Sequence, residues 1–331
     1  MNFTSRLMAP VLMALSLGAL AAPPSYKVID KIAIGGEGRW DFVYVDSGQH
    51  RLYVSHGGQT EVIDTQTNRL VGTIAGTPGV HGIAVANDLG LGFTSNGRDN
   101  SVTVFDLNSL KPRATIKVGD NPDAIVYDPA TQRVVTFNGR SKDATIVDAK
   151  RGQVIGTVAI GGKPEVADIG QDGAIYFNIE DTNEVAVLDA QAVKLTQRHS
   201  IKPCESPTGL AVDTRHRLYS VCDNNLLVVS SPEGKLLGQA PIGSGPDGVV
   251  WLDGYAISSN GGDGTLSIVG ESADGKFETV ATVSTAVGAR TIAADAATHK
   301  LYLPTADFKP SADGKRQAIA DTFAILVVGR Q

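Results

Sequence analysis

The sequence predicts an all-β fold, a seven-bladed β-propeller with four-stranded antiparallel blades. A short apolar strand recurs seven times at intervals of 39 to 43 residues, and a second strand with a shared four-residue pattern follows each copy. Strand repeats with a period in the low forties are typical of propeller blades. The chain has 331 residues, of which 42% are hydrophobic, so it can bury the core that this fold needs.

Each predicted blade begins with the recurring apolar strand, which we place innermost. These first strands cover residues 40–46, 80–85, 122–128, 164–168, 207–213, 246–251 and 289–295. The second strands end in the four-residue pattern at residues 53–56, 93–96, 135–138, 175–178, 219–222, 257–260 and 302–305. Outer strands follow at residues 70–74, 113–118, 154–160, 194–201, 236–242 and 277–283, which supplies six blades and leaves the seventh without one.

The missing outer strand is predicted to come from the N-terminus. Residues 28–35 fit the outer-strand pattern, and the chain stops after the third-strand pattern at residues 323–328. We therefore expect the N-terminal strand to complete the last blade. This pairing closes the ring and covers a strand edge that would otherwise be exposed.

The repeats resemble those of the YVTN family of β-propeller repeat proteins. The second-strand patterns, such as Tyr-Val-Ser-His at 53–56 and Phe-Thr-Ser-Asn at 93–96, are similar to the Tyr-Val-Thr-Asn signature. Flanking Gly-x-x-Pro-x-x-hydrophobic and Val-x-Val-Ile-Asp patterns match as well, over about 300 residues. The resemblance implies a seven-bladed, usually exported propeller, in a family whose members serve as binding modules, surface proteins or electron-transfer subunits.

Residues 1–21 are predicted to be a signal peptide. Arg6 gives the positive start, residues 7–20 are apolar, and residues 19–21 read Ala-Leu-Ala, the small-x-small pattern of a cleavage site. The alternative is an uncleaved anchor, but this run is short for a membrane span and no later segment reaches 18 apolar residues. We expect residues 22–331 to form a single propeller domain, periplasmic or secreted, without a membrane span.

Charge and cysteine content narrow the choice of partner and compartment. There are 29 Lys and Arg against 35 Asp and Glu, a net charge of -6, which disfavours nucleic acid because phosphate binding normally begins from a basic face.

Hairpin pairing in blade five places Thr208 opposite Cys222, with Cys204 four residues before Thr208. A Cys204–Cys222 disulfide is therefore predicted, and an oxidising compartment would preserve it. Two buried free thiols are the alternative.

The predicted site is the mouth of the axial channel, where the first strands begin. The residue after the first position of each of these strands is polar, and we call these seven the mouth residues. They are Asp41, His81, Asp123, Glu165, Thr208, Asp247 and Arg290. One register thus places four carboxylates around an opening with an imidazole, a hydroxyl and a guanidinium.

Two interpretations of the mouth residues stay open. In the first, they only line a hydrated opening, because burying charges there would be costly. In the second, the crowded carboxylates attract a cation, with Arg290 pairing one of them. The possible metal ligands are Asp123, Glu165, Asp247 and His81. Oxygen donors with one histidine suit Ca²⁺, Mg²⁺ or Mn²⁺ better than copper.

A rim around the mouth is the third predicted feature. Blade seven alone has a long polar excursion, residues 307–322, and equivalent loops of other blades carry arginines. The possible rim residues are Trp40, His56, Arg98, Arg140, Lys309 and Arg316. Such a basic rim could hold a peptide, a glycan or single-stranded nucleic acid, although nucleic acid would need more stacking aromatics.

The first functional hypothesis is a monomeric periplasmic module that binds an unknown protein, peptide or small ligand on its mouth face. The alternative is a metal-dependent hydrolase or lactonase-like enzyme, whose mouth carboxylates hold a metal with an open water position. Single-stranded nucleic acid binding is the third. The sequence contains no phosphate-loop, zinc-protease, nucleophile-elbow or c-type haem motif, so no catalytic residue is predicted.

Overall fold

Seven four-stranded sheets form the blades of a β-propeller, as the sequence predicts. The structure is a computed structural model that describes residues 24–309 and 317–330. The predicted signal peptide, residues 1–21, and the predicted rim residue Arg316 lie outside the described residues. No helix within those ranges is long and apolar enough to cross a bilayer.

The first three blades follow the predicted order from the innermost strand outward, after the N-terminal strand β1 (Tyr26–Ala33). Blade one contains β2 (Val43–Asp46), β3 (Arg51–His56), β4 (Gln59–Asp64) and β5 (Arg69–Ala75). Blade two contains β6 (Val80–Ala86), β7 (Leu91–Asn96), β8 (Ser101–Asp106) and β9 (Pro112–Lys117). Blade three contains β10 (Pro122–Asp128), β11 (Arg133–Asn138), β12 (Asp143–Asp148) and β13 (Gln153–Ala159).

The next three blades repeat this order. Blade four contains β14 (Pro164–Ile169), β15 (Ile175–Ile179), β16 (Glu184–Asp189) and β17 (Lys194–Ser200), with a 3₁₀ turn at Glu180–Thr182. Blade five contains β18 (Pro207–Val212), β19 (Leu218–Cys222), β20 (Leu226–Ser230) and β21 (Leu236–Pro241). Blade six contains β22 (Pro246–Leu252), β23 (Tyr255–Asn260), β24 (Thr265–Glu271) and β25 (Phe277–Ser284).

Blade seven is built from both ends of the described chain. It contains β26 (Ala293–Asp295), β27 (Lys300–Thr305) and β30 (Ala324–Arg330), and a hairpin of β28 (Phe308–Lys309) and β29 (Gln317–Ala318) lies in its excursion. Strand β1 pairs antiparallel with β30 and is the outer strand of this sheet. The predicted closure is confirmed, with the strand at Tyr26–Ala33 rather than at residues 28–35.

Apolar side chains between neighbouring blades form the core. The rings of Tyr53 and Phe105 meet between blades one and two, with centroids 6.0 Å apart. The rings of Phe137 and Phe177 meet between blades three and four, with centroids 4.7 Å apart. Each blade thus buries its face against the next one, which is how a repeat unit without a core of its own becomes stable.

Three strands differ from their predicted positions. Strands β2 and β26 begin at Val43 and Ala293, later than residues 40 and 289. In blade one, the Phe42 N–H donates to the His81 carbonyl of blade two, 3.2 Å away, so the chain leaves the ladder there. In blade four, Ile179 lies opposite Pro164, so the four-residue pattern occupies 176–179 rather than 175–178.

A β-bulge places the mouth residues outside the regular ladder. In blades two to six, the register shifts just after the first residue of the innermost strand, as between Pro122 and Ile125. The mouth residue, Asp123 in this blade, falls inside the bulge. Bulges redirect side chains and are frequent beside functional sites, so the backbone itself turns these residues toward the axis.

Cys204 and Cys222 form the predicted disulfide, with Cα atoms 5.4 Å apart, and both side chains are fully buried. Cys222 lies opposite Pro207 and not opposite Thr208, because the bulge between Pro207 and Leu210 shifts the register. The bridge therefore fastens the loop before β18 to the end of β19, beside the channel mouth.

Replacing both cysteines by alanine should lower the free energy of unfolding by about 3 kcal/mol. The bridged residues are 18 apart in sequence, so the disulfide restrains the unfolded chain. Chemical denaturation of the double variant and of wild-type protein with and without reductant measures this loss. The reduced wild type should match the variant, and equal stability of all three samples would contradict the prediction.

Candidate functional site

The channel mouth contains a continuous chain of charged side chains that crosses four blade boundaries. Arg290 of blade seven pairs with Asp247 of blade six, and its second terminal nitrogen lies 3.3 Å from Asp41 Oδ1 of blade one. Asp41 Oδ2 lies 2.5 Å from His81 Nδ1 of blade two, which lies 3.5 Å from Asp123 Oδ1 of blade three. The structure thus brings five of the predicted mouth residues together.

Side chains of the second strands fix the backbone under the mouth residues. In three blades, the residue one before the end of the four-residue pattern donates to the carbonyl of a mouth residue in the next blade. These pairs are Ser95 to Asp123, Asn178 to Thr208 and Ser259 to Arg290. Blade seven joins blade one in a similar way, because Thr291 Oγ1 donates to the Asp41 carbonyl at 2.6 Å. The ring of donors gives the mouth a fixed geometry.

Asp123 is the least compensated acid at the mouth. Its side chain is 14% exposed, and its Oδ1 is buried and accepts no hydrogen bond within the described structure. Burial and the neighbouring Asp41 carboxylate raise the pKa of Asp123 to about 7, against the opposing effects of His81 and Lys163. A buried carboxylate without a hydrogen-bond partner is stabilised by any cation that binds beside it.

His81 links Asp41 and Asp123. Burial lowers its pKa, but the hydrogen bond to Asp41 and the charges of both carboxylates outweigh burial, so the pKa of His81 is raised. One ligand atom from each of Asp41, His81 and Asp123 lies within 4.8 Å of the others. This trio differs from the predicted metal ligands, because it includes Asp41 and leaves out Glu165 and Asp247.

Glu165 and Asp247 are turned toward cationic side chains. Glu165 Oε1 lies 2.6 Å from Lys163 Nζ, and Lys163 also pairs with Glu180. Burial and the Asp123 charge raise the pKa of Glu165 to about 9. Burial raises the pKa of Asp247 to about 6, although Arg290 opposes the increase. Both acids therefore already have a cationic partner in the protein.

Lys163 was not among the residues predicted from the sequence. It lies two residues before the mouth residue Glu165, a position where only Arg39 of blade one is also basic and the other five blades carry Gly, Asn or Ser. That departure from the repeat was the available signal. Thr208, the remaining mouth residue, donates its hydroxyl to the Pro246 carbonyl at 3.1 Å, so it braces blades five and six.

The predicted rim residues fall into two groups. Arg98, Arg140 and Lys309 are exposed. His56 is only 3% exposed, with Nδ1 3.3 Å from Glu61 Oε1 and its ring stacked on Phe323, so it does not lie on an open rim. Trp40 is 9% exposed and packs against Phe308 and Phe323. Phe308 of the excursion packs on Trp40, and Phe323, just after the excursion, packs on both rings, contacts that the sequence pattern did not predict.

Comparison with known proteins identifies the fold. No protein-family model and no curated protein matches the chain. Among solved structures, the RRP9 WD40 repeats superpose with a TM-score of 0.77 at 9% identity, covering 94% of this chain and 99% of that one. Streptogramin B lyase superposes with a TM-score of 0.74 at 10% identity, covering 92% and 98%. The Kuenenia stuttgartiensis hydrazine synthase gives 0.70 at 14% identity, covering 93% and 99%. Identities this low show a β-propeller fold and leave YVTN membership as a resemblance.

Proposed function

We propose that the protein is an exported binding module that takes its ligand at the channel mouth and holds a cationic part of that ligand against Asp123. The observation that carries this proposal is the buried, unpartnered Oδ1 of Asp123 beside Asp41 and His81. The disulfide supports an oxidising compartment. A signal peptide at residues 1–21, a single domain at 22–331 and a monomeric state belong to the same proposal.

The charge balance at the mouth supports a cationic ligand. Four mouth carboxylates face Arg290 and Lys163, and Lys163 is shared with Glu180 outside the ring. His81 adds one positive charge when protonated, so four acidic groups face three cationic ones, and the raised pKa values of Asp123 and Glu165 mean that bound protons balance the excess at neutral pH. A bound cation would replace these protons and offset both the burial and the repulsion by Asp41 that raise the pKa of Asp123.

Two kinds of cation satisfy this chemistry. A divalent metal ion such as Ca²⁺, Mg²⁺ or Mn²⁺ prefers carboxylate oxygens, and Mn²⁺ also accepts an imidazole nitrogen. An ammonium or guanidinium group on a peptide or small molecule would make charge-assisted hydrogen bonds to the same oxygens. Arg98 and Arg140 are exposed, and their backbone N–H groups donate to the Pro78 and Asp120 carbonyls just before strands β6 and β10, so both side chains are available to the anionic part of a ligand with both charges.

Thermal unfolding of metal-free protein tests the proposal. We expect CaCl₂, MgCl₂, MnCl₂ or methylammonium chloride to raise the unfolding temperature above the value in NaCl of equal ionic strength. A ligand at a hundred times its Kd should stabilise the fold by about 2.7 kcal/mol. The metal salts and the ammonium salt separate the two kinds of cation.

Two variants give this experiment its control. Asp123→Asn combined with Asp247→Asn should abolish the stabilisation, because it removes two mouth carboxylates and keeps their shape. Glu278→Gln removes one exposed acid from outer strand β25 and should leave the stabilisation unchanged. The proposal fails when no cation exceeds NaCl in the wild type, or when the double variant responds equally.

A second candidate function is metal-dependent hydrolysis, favoured by the grouping of Asp41, His81 and Asp123 within 4.8 Å. A metal ion held by these residues would activate water for attack on a lactone or ester. Turnover of such substrates that requires metal and disappears in Asp123→Asn would support it. Nucleic acid binding is not proposed, because Trp40 is buried and the mouth is rich in carboxylates.

A further inference from the structure

Beyond the mouth, the axial channel contains an open cavity of about 530 Å³. The innermost strands of all seven blades line it, mostly with aliphatic side chains, and the mouth residues themselves do not. Its volume lies in the range of small-molecule sites, which are usually apolar with a few polar groups that fix orientation. The polar groups of this cavity therefore determine what it can hold.

Asp168 is the one charged side chain among the described residues that line the cavity. It lies three residues after the mouth residue Glu165, a position where the other blades carry apolar or aromatic residues. The seven residues of this layer are Tyr44, Ala84, Val126, Asp168, Ala211, Val250 and Ala293. The repeat therefore shows that the fold does not require an acid at this position.

The two hydrogen bonds of Asp168 compensate its charge only in part. Its Oδ1 accepts the Ile169 N–H at 2.8 Å, and its Oδ2 accepts the Val212 N–H of blade five at 2.9 Å. A carboxylate offers about four acceptor positions, so two stay available. No Lys, Arg or His in residues 24–309 or 317–330 forms an ion pair with it. Burial raises the pKa of Asp168, as expected of an acid without a counter-charge.

Aromatic rings line the same cavity. Tyr44 belongs to the Asp168 layer, and Tyr127 and Trp251 lie one position further along their strands. Packing holds two of these rings in place, since the Tyr127 hydroxyl donates to Asp88 at 2.8 Å and Trp251 lies 5.1 Å from the Tyr219 ring. Aromatic faces attract organic cations, particularly where water is excluded.

We infer that the channel is a second binding site, for a small organic amine whose ammonium group pairs with Asp168 and whose apolar body fills the cavity. Charge complementarity selects this occupant, because a cation supplies the counter-charge that Asp168 lacks. The aliphatic lining takes the apolar body, and a neutral apolar molecule of equal size would leave the Asp168 charge unpaired. The site is distinct from the mouth site, and each can exist without the other.

A matched pair of probes tests the channel site: 2-phenylethylamine and its neutral counterpart 2-phenylethanol. Titration calorimetry should show the amine binding wild-type protein about tenfold more tightly than the alcohol, the gain expected from a charge-assisted hydrogen bond. In Asp168→Asn, the amine should lose this advantage while the alcohol binds as before. Equal affinities for both probes in the wild type would overturn the inference.

The mouth site requires its own control, because an amine could bind there instead. Amine binding that survives in the Asp123→Asn, Asp247→Asn double variant and is lost in Asp168→Asn supports the channel site. The reverse result overturns it and leaves the proposed function intact. A wild-type protein that binds neither metal ions nor methylammonium would contradict the proposed function. It would leave the inference about the channel unaffected.

A fluorescence measurement keeps the inference testable when Asp168→Asn does not fold. The chain has two tryptophans, so Trp40→Phe leaves Trp251 as the sole reporter, and Trp251 lines the cavity. We expect the amine to change the Trp251 emission at about one tenth of the alcohol concentration. Emission that does not respond to the amine would exclude binding in the channel.

Discussion

Deleting residues 26–34 should lower the unfolding temperature by roughly 10 °C or more, a large loss for so short a segment. Tyr26 and Ile32 are 6% and 7% exposed in strand β1, and each contributes about 2 kcal/mol by burial. The deletion also removes the backbone ladder from Tyr26 to Ala33 and exposes the edge of β30. Thermal unfolding of the truncated and full-length proteins measures the effect.

Two point variants in the same strand serve as controls for the deletion. Ile32→Ala should lose much of this stability because its side chain is buried. Ile29→Ala should lose little, since Ile29 is 46% exposed. A truncated protein that unfolds at the temperature of the full chain would contradict closure of the ring by β1.

Asp123→Asn should stabilise the protein near pH 7.5 by about 2 kcal/mol, even though it removes a site residue. The folded pKa of Asp123 is about 7, above the value of an unfolded aspartate. The folded state therefore binds more protons than the unfolded state between about pH 4 and 7, and wild-type stability falls as pH rises through that window. Asparagine carries no charge, so the variant avoids this loss.

The pH dependence distinguishes this effect from simple repacking. The stability difference between Asp123→Asn and wild type should shrink toward zero below about pH 3, where Asp123 is largely protonated in the folded and in the unfolded state. His81, with its raised pKa, contributes in the same direction, because its stabilisation is also lost as pH rises. The other charged groups around Asp123 are Asp41, Lys163 and Asp247. A stability difference that does not change with pH would contradict the raised pKa of Asp123. So would an equally large stabilisation by Glu278→Gln.

The repeat pattern was sufficient to predict the ring and the grouping of five of the seven mouth residues. A common register along each innermost strand fixes where its first residues lie, whatever the side chains are. The same regularity predicted closure by the N-terminal strand. It also predicted the Cys204–Cys222 bridge, although the bulge at Pro207 changed the residue opposite Cys222.

The partners of the mouth side chains could not be predicted from the register. Lys163 reaches Glu165 from outside the repeat position, and Arg290 bridges two acids because a long side chain can span neighbouring blades. The excursion of blade seven covers Trp40 through Phe308, a tertiary contact that the local pattern does not encode. Asp168 was visible as a charged exception in an apolar layer, and its meaning required the cavity around it.

The most direct test of the account is the titration of Asp123 itself, followed by carbon-13 NMR of aspartate-labelled protein with and without a stabilising cation. We predict one carboxyl group that titrates near pH 7, is absent in Asp123→Asn, and shifts to lower pH when the cation binds. A spectrum in which every aspartate titrates below about pH 5 and none responds to cations would contradict a cation-binding mouth.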